Sequence, residues 1–138
     1  MDPLLRGELM ERLNRDAVAI ALRFGLRYRV IEAERPQVKR RYGVCYADGT
    51  IRIRLTHART GEALRYSSLV ATLCHELAHL RHFDHGPRFR AFNQAILEWA
   101  RSKGIYRPRR PGAVRPPPPR EPAPRSAPER PLQLRLFR

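Results

Sequence analysis

Residues 74–89 read CHELAHLRHFDHGPRF and hold four of the chain's five histidines, His75, His79, His82 and His85. His75 and His79 stand four apart. At about 100° per residue, their side chains leave a helix within about 40° of each other and one turn apart, so both imidazoles can reach one point in space. Leu69, Val70, Leu73, Leu77 and Leu80 recur at helical spacing around them and predict an apolar helix face over residues 63–83. Gly86-Pro87 breaks that helix and fits the start of another, along which Phe89, Phe92, Ile96 and Trp99 form a stripe suited to core packing. The chain therefore turns back just after His85.

Two imidazoles placed this way can share one cation. Zinc accepts neutral imidazole nitrogen at about 2.0–2.1 Å, and a catalytic zinc site takes three protein ligands and leaves the fourth position to water. Two further histidines compete to be the third ligand: His82 lies three residues past His79 on the same helix, and His85 lies beyond its end. Ligands along one straight helix line up with its axis and cannot surround an ion, whereas a ligand returning from a turn can. His75, His79 and His85 are thus favoured as ligands of Zn2+, with His82 solvated or supporting. Glu76 falls between the first two, at the general-base position of an HExxH motif. There a carboxylate can take the proton of a water whose pKa the metal lowers toward 7, and peptide hydrolysis follows. A surface helix with two exposed histidines is the alternative, and the apolar helix face, the third histidine beyond its end, the Gly-Pro reversal and Phe89 at the start of a packed helix speak against it.

Working outward, Asp2-Pro3 fits a helix cap, and Leu5, Leu9, Leu13, Ala17, Ile20, Ala21 and Phe24 recur at helical spacing up to Gly25. Leu26, Tyr28 and Val30 alternate with arginines as in a half-buried strand. A second strand is expected over 38–46 and a third over 51–55, with a hairpin turn at Asp48-Gly49 and with Arg52 and Arg54 directed outward. The expected fold is α+β: an N-terminal helix, a small three-stranded sheet, the histidine helix and a C-terminal helix, as one domain over residues 1–106.

The chain has 138 residues and a net charge of +15, with 19 Lys/Arg against 11 Asp/Glu in residues 1–106 and 9 Arg against 2 Glu in 107–138. That balance favours a polyanionic partner, DNA before membrane, because no basic amphipathic helix with a bulky apolar face accompanies it. The two cysteines, Cys45 and Cys74, form no CxxC pair, which excludes a disulfide framework or a cysteine zinc ribbon and points to the reducing cytoplasm. Cys74 projects about 100° from His75 around the helix and reads as a small core residue. No stretch has the length and composition of a membrane span, and the charged N-terminal pattern is not that of a signal peptide. A monomer is expected.

The stretch HELAHLRHFDHGPRF resembles the SprT-like and YgjP-like zincin metallopeptidases, whose HExxH helix is followed by a short link and an HGPxF or HSxxF element. RYGVCYADGTIRIRL, residues 41–55, is similar to their strand pair, in which an RWGxC-like segment precedes a Gly turn. The resemblance covers residues 38–103 and implies a minimal zincin-like domain, zinc on His75, His79 and His85, and Glu76 as catalytic base. Tyr42 stands where the YgjP-like pattern often has Trp. The insertion that Spartan-type proteases place before the third histidine is missing, and no C-terminal zinc ribbon follows.

Residues 107–138 are rich in Pro and Arg, a composition expected to be disordered. They end in Gln133, Leu134, Leu136 and Phe137, similar to the QLxLF pentapeptide by which bacterial repair and replication proteins dock on the sliding clamp. Spartan-type proteases carry a clamp-binding peptide in their own disordered tails and degrade proteins crosslinked to DNA. Two readings follow: a zinc peptidase whose protein substrate pairs with the sheet along residues 51–55, or a zinc-stabilised DNA- and clamp-associated binding module without peptidase activity. Glu76 favours the first, since a purely structural site has no use for an unliganded carboxylate.

Overall fold

The computed structural model describes residues 1–108. The expectations for the rest of the Pro/Arg-rich tail, including the 133–137 motif, lie outside the described residues. Helix α1 (Pro3–Phe24) begins where the Asp2 carboxylate accepts the Leu5 N–H and Pro3 takes the first helical position; it ends at Gly25, whose φ of 68° is left-handed. Leu13, Ala17, Ile20 and Ala21 form its buried face. The Leu26 N–H bonds back to the Ala21 carbonyl at 2.9 Å, which ties Leu26 to the helix end. The first strand consequently starts later than the alternation predicts, as β1 (Val30–Ala33).

Strand β2 (Gly43–Cys45) is shorter than the expected 38–46, and β3 (Thr50–Ile53) follows it through the Asp48-Gly49 turn. Gly49, at φ 92°, donates to the Tyr46 carbonyl, and Tyr46 donates to the Thr50 carbonyl at 2.8 Å. The sheet order is β1-β3-β2, with β1 parallel and β2 antiparallel to β3. Residues 51–55 were expected to offer a free edge to a peptide. Instead β3 is central and paired on both sides, so the edges belong to β1 and β2.

The two outward arginines also part company. Arg52 is half-buried and meets Glu32, its register partner on β1, at 3.1 Å. Arg54 is only 4% exposed, because the loop after β1 folds over that face; its guanidinium donates to the Pro36, Val38 and Thr56 carbonyls. A buried cation is tolerable only with its donors satisfied, and here one arginine organises the whole β1–β2 connection.

Helix α2 (Tyr66–His79) is shorter than the expected 63–83. Its start is delayed because residues 55–64 form a hairpin-like turn, with the Leu64 N–H on the Leu55 carbonyl at 2.9 Å and a bridge between Thr56 and Ala63. Beyond His79 the turn tightens, with the Leu80 and Arg81 N–H groups bonded three residues back at 3.1 Å. Helix α3 (Pro87–Ser102) opens at Gly86-Pro87 as expected. Leu13 and Ile20 of α1, Ile51 and Ile53 of β3, Leu69, Leu73 and Leu77 of α2, and Ile96 of α3 are fully buried in one core. At about 1.5–3 kcal/mol for each large apolar side chain, this core is what holds α2 against the sheet. Among the described residues no helix is long and apolar enough to cross a membrane.

Candidate metal centre

The end of α2, the turn after it and the start of α3 bring His75, His79 and His85 together. His85 Nε2 lies 3.0 Å from His79 Nε2 and 3.2 Å from His75 Nε2, and one nitrogen of each ring falls within 4.8 Å of the others. Two nitrogens each about 2.05 Å from an ion at a tetrahedral angle are about 3.3 Å apart. The observed spacings therefore match a shared cation.

Protonation supports the same conclusion. The His79 Nδ1–H donates to the His82 carbonyl at 2.9 Å, which orients the ring with Nε2 toward the cluster. Burial, aided by the neighbouring His79 and His85 rings, pushes the His75 pKa down to about 3, so that ring is neutral near pH 7. Imidazole nitrogens crowded this closely are held together favourably by a shared cation or proton. His75 and His79 are half-buried, and His85 is exposed at the mouth.

Three contacts fix the reversal that delivers His85. Arg90 of α3 donates to the His85 carbonyl at 2.9 Å. Arg81 donates to the Phe24 carbonyl at the end of α1, at 2.7 Å, with its guanidinium 4.6 Å from the Phe92 ring centroid. Phe89 forms an apolar floor: it stacks on His79 at 4.4 Å between centroids and meets His75 and His85 edge-on at 4.9 and 5.0 Å. It is 3% exposed. His82 contributes its backbone carbonyl, while its ring packs edge-on against Phe92 at 5.6 Å, a supporting place and not a ligand position. Cys74 is fully buried, and desolvation pushes its thiol up to about 12, as befits an inert core residue. His57 sits half-buried in the 55–64 turn, outside the cluster.

Glu76 is 6% exposed and faces β2. A Cβ placed on Gly43 would lie 2.6 Å from Thr72 Cγ2 and 2.9 Å from Glu76 Oε2. Only glycine allows the strand to approach α2 this closely. Sequence reasoning assigned Gly43 no role, although a glycine inside a strand signals a close backbone approach.

The YgjP-like, metallopeptidase domain family matches residues 1–103. No curated protein sequence gives a significant match. Among solved structures, Wss1 from Saccharomyces cerevisiae is similar in fold, with a TM-score of 0.63 at 17% identity over 70% of this chain and 79% of that one. A mutant of the same protein gives 0.63 at 16% identity over 72% and 82%. A mutant of Wss1 from S. pombe gives 0.56 at 21% identity over 66% and 80%. With a match across most of the described residues and a histidine cluster able to hold a metal, this chain belongs to the YgjP-like metallopeptidase family.

Proposed function

We propose that the chain is a zinc-dependent peptidase acting on proteins close to DNA. The observation that carries the reading is the convergence of three imidazole nitrogens from α2 and the turn after it, next in sequence to a buried glutamate. The donor set suits zinc: three imidazole nitrogens, without thiolate, on a cluster open to solvent at His85. When bound there, zinc acidifies water and polarises a carbonyl.

His75, His79 and His85 hold the ion. Glu76 accepts the proton of the attacking water on its carboxylate and returns it to the departing amine. Gly43 keeps that carboxylate in place by leaving room for it. The extended peptide pairs along β2, the edge strand packed beside α2, and main-chain pairing of this kind asks for no particular side chains. A protease of broad taste results.

Proximity to DNA is supported by the +15 net charge, shared between the family-matched region and the tail. The Gln133–Phe137 segment docks on a bacterial sliding clamp in this proposal, and its Pro/Arg-rich tether raises the local concentration of the peptidase near clamp-bound DNA.

In the Glu76→Gln variant, zinc stays at the parent's stoichiometry by elemental analysis, while casein cleavage falls by about 10²-fold or more; cleavage equal to the parent's removes Glu76 from the chemistry. Gly43→Ala likewise keeps zinc and a folded far-UV spectrum but loses most of its turnover rate, because the added methyl displaces the carboxylate. Full activity in that variant contradicts the fit between β2 and Glu76. Deleting residues 131–138 abolishes capture by immobilised sliding clamp and leaves zinc content and cleavage intact; retention of the truncated chain rejects the docking segment.

A further inference from the structure

Where α1, the start of α2 and the chain after α3 meet, a cleft of about 210 Å³ is lined by Arg12, Arg65, Tyr66, Ser67, Ile105 and Arg107. Its three arginines come from three separate segments, and no acidic side chain lines it. Asp16, which does not line the cleft, accepts the Tyr66 hydroxyl at 2.6 Å. The Arg12 guanidinium carbon stands over the Tyr66 ring, 3.8 Å from its centroid, a contact that holds the cation at the cleft. Arg107 is held by donation from Nε to the Gly104 carbonyl at 2.9 Å. Among the described residues none of the three arginines forms an ion pair.

Like charges gathered in one concavity raise each other's energy, and the arrangement is favourable when an anion is shared among them. Guanidinium forks match phosphate oxygens in geometry as well as charge. The sequence after the cleft residue Arg107 carries eight more arginines against two glutamates over residues 109–138, so the basic charge is not confined to the cleft. A polymer of phosphates can answer both the cleft and this further charge, which a single small anion cannot.

We propose that this cleft seats a backbone phosphate of DNA. Along α2, Tyr66 lies nine residues from His75 and thirteen from His79, or about 14 and 20 Å at 1.5 Å per residue. A strand seated there runs past one end of α2 while the metal cluster occupies the other, leaving room for a protein segment between them. The proposal deepens the DNA component of the function proposed above and does not depend on the peptidase component.

The test measures binding of a labelled oligonucleotide to the full-length zinc-loaded chain by fluorescence anisotropy across a salt series. Three chains are compared: the parent, Arg65→Gln/Arg107→Gln, which spares the Arg12–Tyr66 stack, and Arg27→Gln/Arg59→Gln, which removes the same charge from exposed positions outside the cleft. The expected result is an affinity about tenfold lower for the cleft variant, with the slope of log K against log salt reduced by about 1 to 2, and a smaller effect in the control pair. Equal losses in the two variants overturn the proposal, because the effect is then net charge alone. Displacement of the oligonucleotide by inorganic phosphate at similar concentrations from the parent, but not from the cleft variant, also overturns it in favour of a free-phosphate site. Zinc content and cleavage of a DNA-free peptide are measured on the same samples. Loss of DNA affinity with cleavage intact supports the cleft, while a chain that binds DNA as expected but cleaves nothing refutes only the peptidase reading.

Discussion

Three imidazole nitrogens gathered within 4.8 Å of one another, with that of His85 at 3.0 and 3.2 Å from the other two, form the constraint on which the rest of the structure depends. Two come cheaply, from successive turns of one helix. The third requires the chain to stop, reverse and return, and the molecule spends several interactions on that reversal. The His82 carbonyl orients His79, Arg90 anchors the His85 carbonyl, Arg81 ties the turn to the end of α1, and Phe89 underlies all three rings. None of these residues needs to touch an ion. Each restricts where the ligand atoms can go, and a site fixed in advance loses less entropy when the ion arrives.

The second organising feature is the close approach of β2 to α2. Glu76 is buried at that contact and Gly43 makes the contact possible, so the sheet edge proposed to take the peptide and the residue proposed to move its proton are fitted to each other. The opposite end of α2 is different in character, with arginines from three segments around its first turn. One helix thus separates a histidine-lined end from a guanidinium-lined end.

What could be read from the sequence was local. Asp2-Pro3, Gly25 and Gly86-Pro87 mark helix ends through their own backbone chemistry, and the structure uses each of them so. The clustering of the histidines was legible for the same reason: helical spacing pairs His75 with His79, and the Gly-Pro reversal makes His85 geometrically available to them. Features that depended on distant partners were not. Alternation puts Arg54 on the face opposite Ile53, but only the folded 35–38 loop makes that face buried. The central place of β3 rests on a parallel pairing with β1 that no turn signal announces. The late start of β1 follows from Leu26 being bonded to the Ala21 carbonyl, a competition between capping and pairing that alternation cannot resolve. Gly43 needed the opposing Thr72 and Glu76 before its meaning became apparent.

The central claim, that His75, His79 and His85 jointly bind zinc, is tested most directly by zinc K-edge X-ray absorption on the zinc-loaded full-length chain and on two histidine variants. The parent is predicted to show three imidazole nitrogens at about 2.0–2.1 Å with a further light-atom ligand. His85→Ala then loses one imidazole contribution, and His82→Ala keeps all three. An unchanged imidazole count in His85→Ala, or a loss in His82→Ala, contradicts the claim.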